Sequence, residues 1–139
     1  MSLSDGGLDY TQGSVMKVPL GGGTATTLAT GAPGSNGIAV DAMNVYWTVA
    51  SANDGGGSVM SVPIGGGSPT LLASASTPTS LAVDSTSAYW IDTGTSRIMK
   101  VALDGGAPTV LAGENGNDLA IDSTSVYWTT GSQVMKTNK

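Results

Sequence analysis

Three aspartates stand at the same place in three copies of one short pattern, and their carboxylates are the first candidates for chemistry. Asp41, Asp84 and Asp122 each end a short apolar run and precede a polar turn. A ring of such carboxylates could hold Ca²⁺, which prefers oxygen ligands. An aspartate before a turn also accepts hydrogen bonds from the backbone N–H groups that follow it. Because the position recurs in every copy, the sequence favours this structural role over a metal site.

A Tyr-Trp pair follows each of these aspartates and could offer an aromatic surface to a sugar or a cation. The tryptophans are Trp47, Trp90 and Trp128. Neighbouring residues of a strand point to opposite faces, so a pair cannot form one continuous surface. The chain has no Phe, and these rings are its largest apolar groups. We therefore expect structural tryptophans, with one ring of each pair between neighbouring repeats and the other on the opposite face of its own repeat.

Polar residues also occur in the loops that lead into and out of the repeated apolar runs. A rigid scaffold usually carries its binding groups on such loops. The candidates for contact with a ligand are Asn36, Asn53, Asp54, Asp92, Asn115, Asn117 and Asp118.

The composition excludes several classes of partner and chemistry. The chain has 139 residues, five Lys or Arg and a net charge of −5, which gives no basic surface for nucleic acid or an anionic membrane. No apolar run approaches the roughly 18 residues of a membrane-spanning helix. Without His or Cys, and with one Glu, the chain has few groups for acid–base catalysis or metal binding. We therefore expect no catalytic residues, no metal and no cofactor.

An internal repeat of about 40 residues positions all of these groups. The three Trp are 43 and 38 residues apart, and an aliphatic residue followed by Met recurs at Val15, Val59, Ile98 and Val134. This Met is expected to fill space between neighbouring units. Each copy has four short β-prone segments separated by Gly-rich or polar turns, and no window has the apolar period of a helix. The pattern predicts an all-β fold of four-stranded antiparallel β-propeller blades.

The repeat resembles the YWTD, or LDL-receptor class B, propeller repeat and its bacterial relatives. The likeness rests on Gly37-Ile38-Ala39-Val40-Asp41 with Tyr46-Trp47-Thr48-Val49, and on segments 80–84 with 89–92 and 118–122 with 127–130. In that family the first segment is the innermost strand of a blade and the second segment is the next strand. Only Asp92 keeps the final Asp of the family's pattern. The resemblance implies a receptor-like protein that is secreted, periplasmic or at the cell surface, although residues 1–7 lack the features of a signal peptide.

Counted in blades, the chain contains about three repeats with a partial blade at each end. Residues 1–12 are expected to form a tail or a degenerate strand. The propeller repeats occupy 13–139, as a partial blade at 13–29, blades at 37–73 and 80–112, and a partial blade at 118–137. A propeller ring closes with about four to eight blades. We therefore expect either a homo-oligomer, most simply a dimer that completes a ring, or a fragment of a longer propeller.

Three classes of function fit this architecture. The first is a non-catalytic binding or scaffold module with a protein or glycan ligand, and it is the function that the sequence favours. The second is a lectin-like propeller, which would need exposed aromatic rings beside Asn or Asp. The third is an enzyme of the propeller lactonase or lyase kind, which the absence of His makes the least favoured.

Folding should need no metal, because the repeated aspartates are expected to form turns. Thermal unfolding should give the same melting temperature with and without a chelator such as EDTA. A clearly lower melting temperature in the chelator would identify a bound metal instead, since a ligand that binds only the folded state raises stability.

Overall fold

Short β-strands joined by tight turns make up the described part of the chain. The computed structural model describes residues 13–50 and 56–139, and within these ranges there is no helix. Accordingly, the described segments include no long apolar helix that could cross a membrane. The predicted tail at 1–12 lies outside the described residues. The strands are β1 (Ser14–Lys17), β2 (Thr26–Thr30), β3 (Ile38–Val40), β4 (Asn44–Val49), β5 (Gly57–Pro63), β6 (Thr70–Ala75), β7 (Pro78–Val83), β8 (Ser87–Asp92), β9 (Arg97–Ala102), β10 (Thr109–Ala112), β11 (Asp118–Ile121), β12 (Ser125–Thr129) and β13 (Val134–Asn138).

The strands form four antiparallel sheets, each built from strands that are consecutive in the sequence. The first sheet contains β1 and β2, the second β3 to β6, the third β7 to β10, and the fourth β11 to β13. Strand β7 lies against both β3 and β11, so the first strands of three sheets meet along an inner edge. The second and third sheets are complete four-stranded blades. The predicted all-β fold of four-stranded antiparallel blades is therefore confirmed.

Glycine closes the hairpins that join the third and fourth strands of the blades. Gly66 and Gly67 have φ of +95° and +145°, and the N–H of Gly66 donates to the carbonyl of Pro63 at 2.9 Å. A residue with a Cβ atom is strained at such positive φ. Gly22 and Gly105 occupy the matching turns with φ of +88° and +96°. These turns therefore shape the hairpins between repeated strands.

Three apolar seams lie between neighbouring sheets, and the Tyr-Trp pairs fill them. In the first seam Trp47 packs with Val15 and Leu28 of the first sheet. Tyr46, its neighbour in β4, points to the other face and packs with Trp90 in the second seam. Because both faces of an internal blade are seams, both rings of a pair lie between blades. The sequence predicted only one of the two rings there.

The third seam repeats the second with the next pair. Tyr89 packs with Trp128 of the fourth sheet, together with Ile91 and Ile98. Each Trp therefore faces the preceding sheet, and each of these tyrosines faces the following one. The Met of the repeat lies on the Trp side, because Trp90 and Met99 are paired across β8 and β9.

Trp90 is fully buried, at 0% exposure, in the middle of the chain, and its removal should be costly. Trp90→Ala should lower the free energy of unfolding by about 3–5 kcal/mol, the usual cost of truncating a core aromatic ring. Trp90→Phe should cost less, because the buried indole N–H has no hydrogen-bond partner within the described chain. Urea unfolding of the parent and both variants measures this. A solvent-exposed emission spectrum for Trp90, with Trp47 and Trp128 replaced by Phe, would contradict the packing.

Candidate functional site

Each repeated aspartate holds its own turn and a tyrosine of its own blade. The Asp84 Oδ1 atom accepts hydrogen bonds from the N–H groups of Thr86 and Ser87, both at 2.9 Å. Its Oδ2 atom accepts the hydroxyl hydrogen of Tyr89 at 2.9 Å. The same three bonds, at 2.7 or 2.8 Å, occur at Asp41 with Met43, Asn44 and Tyr46, and at Asp122 with Thr124, Ser125 and Tyr127. In residues 13–50 and 56–139, no three His, Cys, Asp or Glu side chains are close enough to hold a metal ion.

These bonds change the acidity of both partners. Partial burial alone would raise the pKa of Asp84, but the bond from Lys139 and those from the turn and Tyr89 outweigh it, so the pKa is well below its usual range. Burial and the bond to Asp84 raise the pKa of Tyr89 to about 12. The pKa of Asp122 is also lowered, first by the N–H of Thr124. A carboxyl group that acts as a general acid near neutral pH needs a raised pKa, so these aspartates do not suit that role.

Lys139 connects the fourth sheet to the third. Its Nζ atom lies 2.6 Å from Asp84 Oδ2 and 5.2 Å from the centre of the Tyr89 ring. Lys139 occupies the position after the third strand that Leu103 occupies in the third sheet. The N–H of Lys139 donates to the carbonyl of Thr124, just as the N–H of Leu103 donates to the carbonyl of Thr86. The Lys therefore replaces an apolar contact between sheets with an ion pair and a cation–π contact.

A polar pocket, here called the mouth, lies where the innermost strands β3, β7 and β11 begin. Its volume is about 600 Å³. Each of the three sheets contributes the residues at the start of its first strand, because the sheets repeat the same strand order. The mouth brings together three of the residues predicted for ligand contact, Asn36, Asn117 and Asp118. The other lining residues are Gly37, Ile38, Thr79, Ser80, Leu81, Thr93, Gly116 and Leu119.

Ser80 is the most constrained residue of the mouth. A bulge between Thr79 and Leu81 interrupts the pairing of β7 with β8, and Ser80 has a φ of +28°. Its hydroxyl donates to Asp118 Oδ1 at 2.6 Å and accepts the N–H of Leu119 at 3.1 Å. Bulges often direct a side chain at functional sites, and strained backbone persists where the surroundings impose it. Ser80 was not among the residues predicted for ligand contact, although a Ser where the other repeats have Gly37 and Asp118 was a signal.

The floor of the mouth depends on a close approach between two innermost strands. A Cβ atom at Gly37 would lie 2.9 Å from the backbone N and 3.0 Å from the Cβ atom of Leu81. The N–H of Gly37 donates to the buried Thr48 hydroxyl at 2.9 Å. Glycine at this position therefore lets the second and third sheets meet at the inner edge.

Two further predicted residues within the described ranges, Asp92 and Asn115, do not line the mouth. Asp92 is only 4% exposed, and its carboxylate accepts the N–H groups of Ser76 and Thr77 at 2.9 and 3.0 Å. It holds the loop before β7, which differs from the ligand contact expected of it. Asn115 is exposed but does not line the mouth. The candidates at positions 53 and 54 lie outside the described residues.

Repeated antiparallel sheets whose first strands meet around a polar mouth define a β-propeller architecture. No protein-family model matches the chain, and no curated protein matches it. Among solved structures, the chain is similar to one in the crystal structure of a nidogen/laminin complex, with a TM-score of 0.78 and 22% sequence identity. The match covers 90% of this chain and 51% of that chain, so this chain spans about half of its neighbour. At this identity the likeness shows the fold alone.

The bonds at Asp84 should make stability depend on pH at both extremes. A carboxyl with a lowered folded pKa stabilises the fold above about pH 4, and the contribution is lost as the pH falls through the folded pKa. The raised pKa of Tyr89 stabilises the fold up to about pH 10. That contribution is lost as the pH rises towards about 12.

Asp84→Asn should lower the free energy of unfolding at neutral pH by about 1–3 kcal/mol, since it removes a charged hydrogen-bond acceptor. Its stability should also decline less in acid than that of the parent. Asp104→Asn is the matched control, because it removes an exposed carboxylate from the turn after β9 and should cost less than about 0.5 kcal/mol. Urea unfolding between acid and neutral pH tests this. Equal acid sensitivity of the parent and Asp84→Asn would contradict it.

Proposed function

We propose that this chain is a non-catalytic propeller module that binds a basic segment of a protein ligand at its mouth. The observation that supports this function is the pocket of about 600 Å³, to which three successive blades contribute equivalent residues. Rigid scaffolds commonly present binding groups on such loops. Pockets that combine apolar surface with a few polar groups are the usual sites for a ligand. Here Ile38 and Leu81 supply apolar surface, and Asn36 and Asn117 supply amide groups.

The charge of the mouth favours a cationic group. Asp118 is exposed, and the hydrogen bond from Ser80, followed by that from the N–H of Leu119, lowers the pKa of its carboxyl group. The carboxylate is therefore charged at neutral pH and has one oxygen, Oδ2, beyond those bonds. None of the residues that line the mouth is Lys or Arg. A Lys or Arg side chain of a ligand would find a complementary partner there.

A binding role fits the chemistry of the acidic groups better than catalysis does. The carboxyl groups of Asp84, Asp118 and Asp122 have lowered pKa values because they accept hydrogen bonds. A general acid or base near neutral pH would need the opposite shift. The structural neighbour belongs to a complex between two proteins, which supports a protein as the class of ligand.

A lectin-like role has less support. Stacking on a sugar needs an accessible aromatic face, whereas Trp47, Trp90 and Trp128 are all buried in the described structure. Tyr127 is half-buried and lies on the fourth sheet, outside the set of residues that line the mouth.

Binding of short peptides should reveal the preference of the mouth. An array of fluorescent hexapeptides with a central Lys, each paired with the same peptide carrying Gln, should show binding of Lys peptides only. Fluorescence polarisation should then show that Asp118→Asn weakens this binding by about tenfold or more, as expected for loss of a charge-assisted hydrogen bond. Asp104→Asn removes the same charge far from the mouth residues and should leave the affinity unchanged.

Two results would refute the proposal. The first is an affinity for Lys peptides that Asp118→Asn and Asp104→Asn alter equally, which would mean only general attraction to an acidic protein. The second is the absence of peptide binding together with binding on a glycan array that changes Trp fluorescence. The second result would establish the lectin-like alternative.

A further inference from the structure

The fourth sheet has a face that the other blades bury. Val59 and Ile98 lie on the corresponding faces of the second and third sheets, and both are 0% exposed in the seams. On the fourth sheet, Val134 occupies this position, because it pairs with β12 as Ile98 pairs with β8. Val134 is 74% exposed, and Tyr127 beside it is half-buried. This free face therefore has the residue types of a seam, and no sheet of the described residues packs on it.

The free face also has a hollow that could receive a side chain. Its volume is about 220 Å³, and Ala120, Tyr127 and Val134 are among its lining residues. Five of its seven lining residues are apolar or aromatic in type, and the other two are Asp118 and Thr129. A partner for this face should therefore present mainly apolar side chains.

The internal seams show which residues cover such a face. In the second seam the following sheet contributes Met99 from β9 and Leu103 just after it. In the third seam the equivalent residues are Met135 and Lys139. A seam therefore needs a Met on the third strand of the following blade and a second long side chain four residues later.

The first sheet carries the same two residues in exposed positions. Met16 lies on β1 and Leu20 follows four residues later, as Leu103 follows Met99. Met16 is 46% exposed, and Leu20 is fully exposed. The first sheet therefore presents the side chains that the free face of the fourth sheet lacks.

We propose that a second copy of this chain covers the free face, with its first sheet packed head to tail on the fourth sheet. The new contact continues the internal seams: Met16 and Leu20 of one copy lie over Tyr127, Val134 and the hollow of the other. Such a contact joins two different surfaces, and it closes a ring when the rotation between copies allows it. Two copies supply eight sheets, within the range of about four to eight blades at which propellers close.

The structural neighbour supports an assembly of two copies. The chain superposes on about half of that neighbour's chain, with a TM-score of 0.78. Two copies therefore match about the length of one such chain. This inference is independent of the ligand proposed above, because it rests on the end sheets alone.

The mass of the protein in solution tests the proposal directly. Light scattering coupled to size exclusion at micromolar concentration should give twice the chain mass of 13.7 kDa. Val134→Asp, which places a charge on the free face, should halve that mass. Met43→Asp is the matched control, because Met43 is 72% exposed but lies in the turn between β3 and β4, and this variant should stay dimeric. Circular dichroism confirms that each variant is folded.

Mixing two damaged variants distinguishes a head-to-tail contact from a symmetric one. Leu20→Asp should also be monomeric, because it damages the opposite surface. An equimolar mixture of Val134→Asp and Leu20→Asp should recover the doubled mass, since each variant retains the surface that the other lacks. A symmetric contact between two fourth sheets would leave Leu20→Asp dimeric.

Three results would overturn the proposal. The parent chain could remain a folded monomer at high micromolar concentration. Folded Val134→Asp could retain the doubled mass. The mixture of the two monomeric variants could fail to associate.

Discussion

Neighbouring side chains on a β-strand point to opposite faces, and the stacking of these sheets depends on that constraint. In β4 it sends Trp47 into one seam and Tyr46 into the next, and β8 does the same with Trp90 and Tyr89. Each internal blade is therefore joined to both neighbours by one dipeptide. A shift of one residue in strand register would exchange the two rings and bring Trp against Trp. The polar residues of the mouth come from three sheets, so they lie together only because the sheets are stacked in this way.

Local patterns in the sequence were sufficient to predict the strands and the class of fold. The apolar run around Trp90 and the Gly-rich turns are local features of one blade, and the repeat follows from comparing such segments along the chain. The contacts of Ser80 and Lys139 could not be predicted in that way, because their partners Asp118 and Asp84 belong to another blade. The mouth shares this limitation, since its residues meet only when three blades are stacked.

The repeated Asp-Tyr bonds and the single Ser80-Asp118 bond illustrate two uses of the same carboxylate chemistry. In the first, every blade closes its own turn with the same three hydrogen bonds, which serves folding in each copy. In the second, a bulge between the first two strands of the third sheet directs the Ser80 hydroxyl toward a carboxylate of the fourth sheet. Departures from the repeat are informative because packing alone requires only the shared pattern. In the mouth, the Ser80–Asp118 bond lies at a position where the three repeats carry different residues, Gly37, Ser80 and Asp118.

The placement of one Trp in each seam has a consequence for how the protein comes apart. Every seam contains its own fluorophore, and each buried indole N–H lacks a partner within the described chain. Since stacked repeats interact only with their neighbours, each seam can separate with its own equilibrium constant. The emission of Trp47, Trp90 and Trp128 therefore reports on the first, second and third seams separately. Trp fluorescence can therefore identify which of the three seams has separated.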